Sequence, residues 1–187
     1  MAVATQYKAN LLDALDTLDL SRVEDLIEVF AKARDEGRQI FVFGNGGSAA
    51  SANHFACDIV KGASYGREKR FKILALSEQV PTMTAYSNDV GYEVIFEEPL
   101  KNFANPGDVV MAISGSGNSE NVIRAIEYAK SIGCYTVGLS GKNGGRLRPS
   151  VDLSIHVDND HMGRIEDAHM IVCHMVCYHF MDHEPTA

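Results

Sequence analysis

The sequence predicts an α/β fold: a doubly wound parallel sheet flanked by helices, with extra helices at its N-terminus. Three observations carry that reading. Two segments share one form, an apolar strand that runs into a glycine- and serine-rich turn and then a helix: residues 40–43 into Gly44-Asn45-Gly46-Gly47-Ser48, and residues 109–113 into Ser114-Gly115-Ser116-Gly117-Asn118-Ser119. Strand-length apolar runs alternate with helical periodicity along the chain, which implies right-handed crossovers and a sheet covered on both faces. The 187 residues, 45% of them hydrophobic, suffice for a full core. With no linker or repeat visible, residues 1–187 read as a single domain.

The opening segment reads as two helices. Leu11, Leu12, Leu15 and Leu18 keep helical spacing, and Ser21-Arg22-Val23-Glu24 has the form of a capping box ahead of an inward face of Val23, Leu26, Ile27 and Phe30. Gly37 ends this helix at C′. A strand follows at 40–43, then the first turn and a helix over 48–60. A second strand covers 71–76, a short helix 81–86, and a further helix 94–103, which stops before Asn105-Pro106-Gly107-Asp108. The second strand–turn–helix unit runs from 109 to 132 with Val122, Ile123 and Ile126 inward. Strands at 135–139 and 153–157 flank a loop at 141–149, and a long helix over 165–181 closes the chain. Residues 1–37 are not needed to cover the sheet. With the apolar Ile171, Val172, Met175, Val176 and Phe180 of the last helix, they suggest a helical subunit interface.

Free backbone N–H groups at a helix start, with small hydroxyl side chains beside them, suit an anion such as phosphate. The first turn also fits a relaxed dinucleotide fingerprint through Gly44, Gly46 and Ala49, but that site needs an acid about twenty residues on, at the end of the second strand. The acid there, Glu78, comes too late. No Gly-Lys-Ser/Thr follows either turn, so the serines point instead to a phosphorylated small molecule held between the two turns, at the carboxyl ends of the strands.

A formal charge of −8 gives no electrostatic case for nucleic acid or an anionic membrane surface. No segment has the length of a membrane span, the opening residues hold no apolar run of signal-peptide type, and Cys57, Cys134, Cys173 and Cys177 form no CxxC pair. A cytoplasmic protein with reduced thiols is expected.

The helices carry the chemistry. His54 and Asp58 are four apart and share a face. The last helix bears Glu166, His169 and His174. Proton transfer needs a base and an acid, and a metal would polarise a carbonyl between them. Imidazole and carboxylate suit zinc or a similar divalent ion. Spacing alone leaves alternatives open: a surface hydrogen bond explains His54–Asp58 as well as a metal site does. Glu166 and His174 lie about 12 Å apart along the helix axis. His169 reads best as a buried, hydrogen-bonded residue, and His156, His161, His179 and His183 as solvent-facing or structural.

Taken together, Gly44 to Ser48, His54-Phe55-Ala56, Asn88-Asp89 with Gly91-Tyr92, Ile113 to Ser119, Gly138 to Lys142, and Arg164-Ile165-Glu166 leading to His169 and His174 resemble sugar isomerase (SIS) domain proteins of the phosphoheptose isomerase type. The likeness covers nearly the whole chain, in order. It implies an aldose–ketose isomerase that interconverts sedoheptulose 7-phosphate and D-glycero-D-manno-heptose 7-phosphate through an enediol. Such enzymes form homotetramers with active sites at subunit interfaces and often bind zinc. The resemblance assigns phosphate binding to Ser48, Ser114, Ser116 and Ser119 with Asn45 and Gly46 nearby, and Asp89 to the sugar end. It assigns metal binding to His54, Asp58, Glu166 and His174, with Asp58 as base, Glu166 as its substitute and His174 as the partner acid. This chain departs from the family pattern at three places. Asp58 stands for glutamate, Glu166 for glutamine, and Lys61-Gly62 for a Gly-Arg pair. The same fold also serves sugar-phosphate sensors and protein-binding scaffolds, one of which binds the bacterial replication initiator. Those roles would not need the His and carboxylate set.

Overall fold

The computed structural model describes residues 2–183. Five parallel strands form one sheet: β1 Gln39–Gly44, β2 Lys72–Ala75, β3 Val109–Ser114, β4 Tyr135–Ser140 and β5 Leu153–His156, in the order β2-β1-β3-β4-β5. Parallel pairing needs crossovers, and these bury both faces, which is why the strands read as continuous apolar runs rather than alternating ones. Ile40 and Val42 of β1 enter one core, Phe41 and Phe43 the other.

The first core is covered by α1 Val3–Leu15, α2 Leu20–Asp35, α3 Gly47–Cys57 and α8 Met162–His183. On the second lie α5 Glu97–Phe103, α6 Glu120–Ser131 and the short α7 Leu147–Ser150, with α4 Val80–Asp89 at its margin. Strand order reverses between β1 and β3. The two glycine–serine turns follow these two strands, so they face each other across the switch point where such sheets bind ligands.

Four local differences from the sequence reading have physical causes. Asp19, not Ser21, caps α2: its carboxylate accepts from Ser21 N at 3.1 Å and from Ser21 Oγ at 2.6 Å, so the Ser21 hydroxyl is already used. The opening helices do not both stand off the sheet. Val23, Leu26, Ile27, Phe30 and Ala33 of α2 are buried in the first core, whereas α1 buries only Ala14. On α8, Val172, Val176 and Phe180 are likewise core residues, and Met175 is exposed.

The fourth difference lies at the site. The helix after the first turn does not run regularly to residue 60. At Asp58–Gly62 it widens into a π turn, closed by Ala63 N donating to Asp58 O. Arg67 donates to Gly62 O, and Met181 fills the space that a side chain at residue 62 would need. Wider turns of this kind re-aim the side chains that follow the regular helix, often at functional sites.

Candidate functional site

Gly46 starts α3 at φ +54°, a left-handed conformation that favours glycine. The turn it makes sends the chain back over the end of β1, and the amides of Ser48, Ala49 and Ala50 bond back to Asn45 O and Gly46 O. Between the turns lies a cavity of about 270 Å³ lined by Asn45, Gly46, Gly47, Ser48, Ser114, Ser116, Ser119, Met162 and Glu166, among others. All six sequence-derived phosphate contacts, Asn45, Gly46, Ser48, Ser114, Ser116 and Ser119, therefore meet in one space.

Hydrogen bonding leaves several of these groups available. Ser114 Oγ accepts from Gly117 N and Ser116 Oγ from Asn118 N, each at 3.2 Å, so both hydroxyl protons remain to be donated. Ser119 occupies the N-cap of α6 but makes no side-chain cap bond. The ordinary structural use of such a serine, capping its own helix, is absent here.

A second cluster lies farther along α3 and α8. Nε2 of His54 is 3.3 Å, and Nε2 of His174 3.7 Å, from the same Asp58 Oδ2, and the imidazoles meet edge to face at 5.2 Å between centroids. One donor atom from each of the three residues falls within 4.8 Å of the others, close enough to share one ion. Two imidazoles and a carboxylate form a donor set suited to a divalent metal.

Glu166, the fourth residue expected at the metal, is not in this cluster. It stands two turns of α8 away, in the wall of the serine cavity, where a methyl group placed on Gly47 would lie 2.5 Å from its Oε1. Asp89 is not brought to the serine cavity either. It ends α4, exposed, beside Pro81, Tyr86 and Val90, and accepts from Asn88 Nδ2 at 2.7 Å.

His169 is fully buried, as expected. It packs beside the Ser140 backbone at the end of β4, and burial pushes its imidazole down to about 4.

Sequence reasoning missed the partners of Asn45. Its Nδ2 donates to Asn121 Oδ1 at 2.9 Å, Asn121 Nδ2 returns a bond to Asn45 Oδ1 at 2.9 Å, and Tyr92 Oη donates to the same Oδ1 at 2.8 Å. One signal was present: Asn121 sits four residues before the inward Ala125, a polar residue on the apolar face of α6. Also missed was Tyr7, whose Oη donates to Asp167 at 2.6 Å and so ties α1 to the turn of α8 that carries Glu166.

The parallel sheet and the twin-turn cavity define a class, and the family model of the SIS domain matches residues 5–141. A phosphoheptose isomerase from Geobacter sulfurreducens is 40% identical over 178 residues, covering 94% of this chain and 93% of that protein. One from Crocosphaera subtropica is 38% identical, with 92% and 88% covered. The solved phosphoheptose isomerase of Neisseria gonorrhoeae superposes with a TM-score of 0.86 at 27% identity, covering 95% of this chain and 96% of that one. The chain belongs to the SIS domain family, in its phosphoheptose isomerase group. It is therefore an aldose–ketose isomerase of phosphorylated sugars.

Proposed function

We propose that this chain interconverts sedoheptulose 7-phosphate and D-glycero-D-manno-heptose 7-phosphate through an enediol. The observation that carries the proposal is the arrangement of the serine cavity and the His54–Asp58–His174 cluster on the same pair of helices. Ser48 and His54 are six residues apart on α3, about 9 Å along its axis. An extended chain from the phosphoester oxygen to C1 of a heptose 7-phosphate covers about the same distance, at about 1.25 Å of advance per single bond. A phosphate among Ser48, Ser114, Ser116 and Ser119, with Asn45 and Gly46 beside it, would bring the sugar's carbonyl end to the cluster.

Both imidazoles face Asp58 Oδ2, which leaves Oδ1 to act as base. Oδ1 takes the proton from C2 of the aldose, or from C1 of the ketose, and returns it to the neighbouring carbon. His174 moves the proton between the two adjacent oxygens, the complementary acid–base role. His54, Asp58 and His174 would hold a divalent ion such as zinc, which when bound supplies Lewis acidity to the sugar carbonyl. Glu166 places a carboxylate in a cavity built for an anion. That repulsion is relieved if a cation is shared between Glu166 and the cluster, or if Glu166 serves as a second base. Asp89 would meet the sugar end only if a neighbouring subunit or a motion of α4 brought it there.

The active form is proposed to be a homo-oligomer, a tetramer as the resemblance implies, working in the cytoplasm. Helix α4 buries none of its residues although it carries Val80, Pro81, Met83 and Tyr86, and α1 exposes Val3 and Leu12. Residues 1–37 would contribute α1 to the contact between subunits. All four cysteines are free, and among the described residues no helix is long and apolar enough to cross a membrane. NMR of sedoheptulose 7-phosphate with the protein and zinc in deuterated water tests the reaction. Aldose should appear with deuterium at C2, and absence of both aldose and exchange would remove the heptose assignment.

A further inference from the structure

Asn121 is 2% exposed and does not line the serine cavity, yet it is bonded twice to a residue that does. The two amides of Asn45 and Asn121 exchange both bonds at 2.9 Å, as two bases pair. Few side chains present a donor and an acceptor side by side in this way. An aspartate at either position would set two acceptors against each other.

The bonding also fixes which way the Asn45 amide points. Its oxygen takes two donors, Asn121 Nδ2 and Tyr92 Oη, so both lone pairs are used, and with Asn121 oriented as it is, turning the Asn45 amide alone would set oxygen against oxygen and nitrogen against nitrogen across the pair. Asn45 is left with one N–H and no free oxygen. An anion can be offered a donor but never meets a repelling carbonyl. Asn121 lies two residues beyond Ser119, so the same pair ties the β1 turn to the turn after β3 and sets the width between them.

We propose that Asn121 is a positioning residue for the phosphate. It acts through Asn45, locking that amide with its N–H toward the ligand and holding the two serine turns at a fixed separation, and Tyr92 completes the lock. The proposal rests on the reading of this cavity as the phosphate site.

The test is a double-substitution cycle on the full chain. It uses inorganic phosphate as the calorimetric probe and sedoheptulose 7-phosphate for kinetics. Asn121→Ala should weaken phosphate binding and raise KM about tenfold, with kcat within about twofold. In an Asn45→Ala background the same change should add less than about twofold, because its route to the ligand is gone. Tyr92→Phe, at an exposed side chain, should shift phosphate affinity about threefold in the same direction. Should Asn121→Ala fail to fold, Tyr92→Phe paired with Asn45→Ala completes the cycle. Unchanged phosphate affinity in the folded Asn121→Ala protein, or effects of Asn45→Ala and Asn121→Ala that simply add, would overturn the proposal. A wild-type protein that binds no phosphate overturns it together with the site assignment. Phosphate binding that responds as described, without turnover of the heptose, leaves Asn121 in its role and removes only the substrate.

Discussion

The two ends of the sheet treat their polar groups in opposite ways. At the N-terminal ends of the strands, carboxylates close the backbone. Asp108, 4% exposed, accepts from Gln39 N at 2.9 Å and from Asn105 N at 2.8 Å, which joins the start of β1 to the turn before β3. Asp152 does the same for β4, accepting from Thr136 N and Thr136 Oγ1. Burial would raise the Asp152 carboxyl, but the bonds from Thr136 and the nearby Lys130 outweigh it and hold it below its ordinary value.

At the C-terminal ends, the hydroxyl protons of Ser114 and Ser116 are left to a ligand in the cavity between the turns. One end is satisfied from within and the other is held open. The difference is not one of volume: a larger cavity, about 520 Å³, is at the closed end, among Asp25, Glu28, Lys32, Glu36 and Arg38. Its charges are mixed, and among the described residues the metal-ligand group lies elsewhere, at His54, Asp58 and His174. Unsatisfied chemistry, rather than empty space, marks the site.

Substitutions at the two ends should separate activity from stability. The largest effect belongs to the open end. Asp58→Asn should lower kcat about a thousandfold, near 4 kcal/mol in the barrier, while calorimetry finds phosphate binding unchanged. Turnover within tenfold of wild type would remove Asp58 as the base. At the closed end, Asp108→Ala should cost about 3 kcal/mol of stability in urea denaturation, because the N–H at the start of β1 and that of Asn105 in the turn before β3 lose their acceptor. The folded fraction should keep its kcat/KM, and a loss of turnover there would erase the contrast between the ends.

Next in size is a pH effect from His169. Its folded value is depressed to about 4 against an ordinary 6.5. Between these values the unfolded chain binds the additional proton, so stability falls as pH drops from about 6.5 toward 4. Denaturation at pH 7 and pH 4.5 should differ by roughly 2–3 kcal/mol more in the wild type than in His169→Leu. An equal acid response in both proteins would show that the ring finds a partner. The smallest effect is Glu166→Gln. Removing a negative charge from the cavity should tighten inorganic phosphate binding a few-fold in chelator-treated protein. Weaker binding would mean that the carboxylate supports the anion site through another group.

Much of this was legible in the sequence because it is local. The strand–turn–helix units, the C′ glycine at Gly37 and the serines of the two turns announce themselves by composition and spacing. So does the four-residue step from His54 to Asp58. The α2 cap was misplaced by two residues because Asp19 and Ser21 offer competing oxygens, and only the folded geometry chooses between them. The π turn at Asp58–Gly62 has no local signature. Arg67, five residues on, and Met181, from the last helix, pack against its Gly62 end. Glu166 and His174 could be placed on one helix but not at one site, since a helix separates residues eight apart by two turns.

By itself, then, the sequence determined the parallel sheet, the twin turns and residue types whose chemistry suits an anion and a proton transfer. Periodicity and turn chemistry act over a few residues. Tertiary structure alone decided which of those residues meet. It brought His54, Asp58 and His174 to one point, put Glu166 with the serines, left Asp89 outside, and paired Asn45 with a buried asparagine 76 positions away. Those contacts depend on strand order and on the packing of α3 against α8, which emerge only when the whole chain closes its cores.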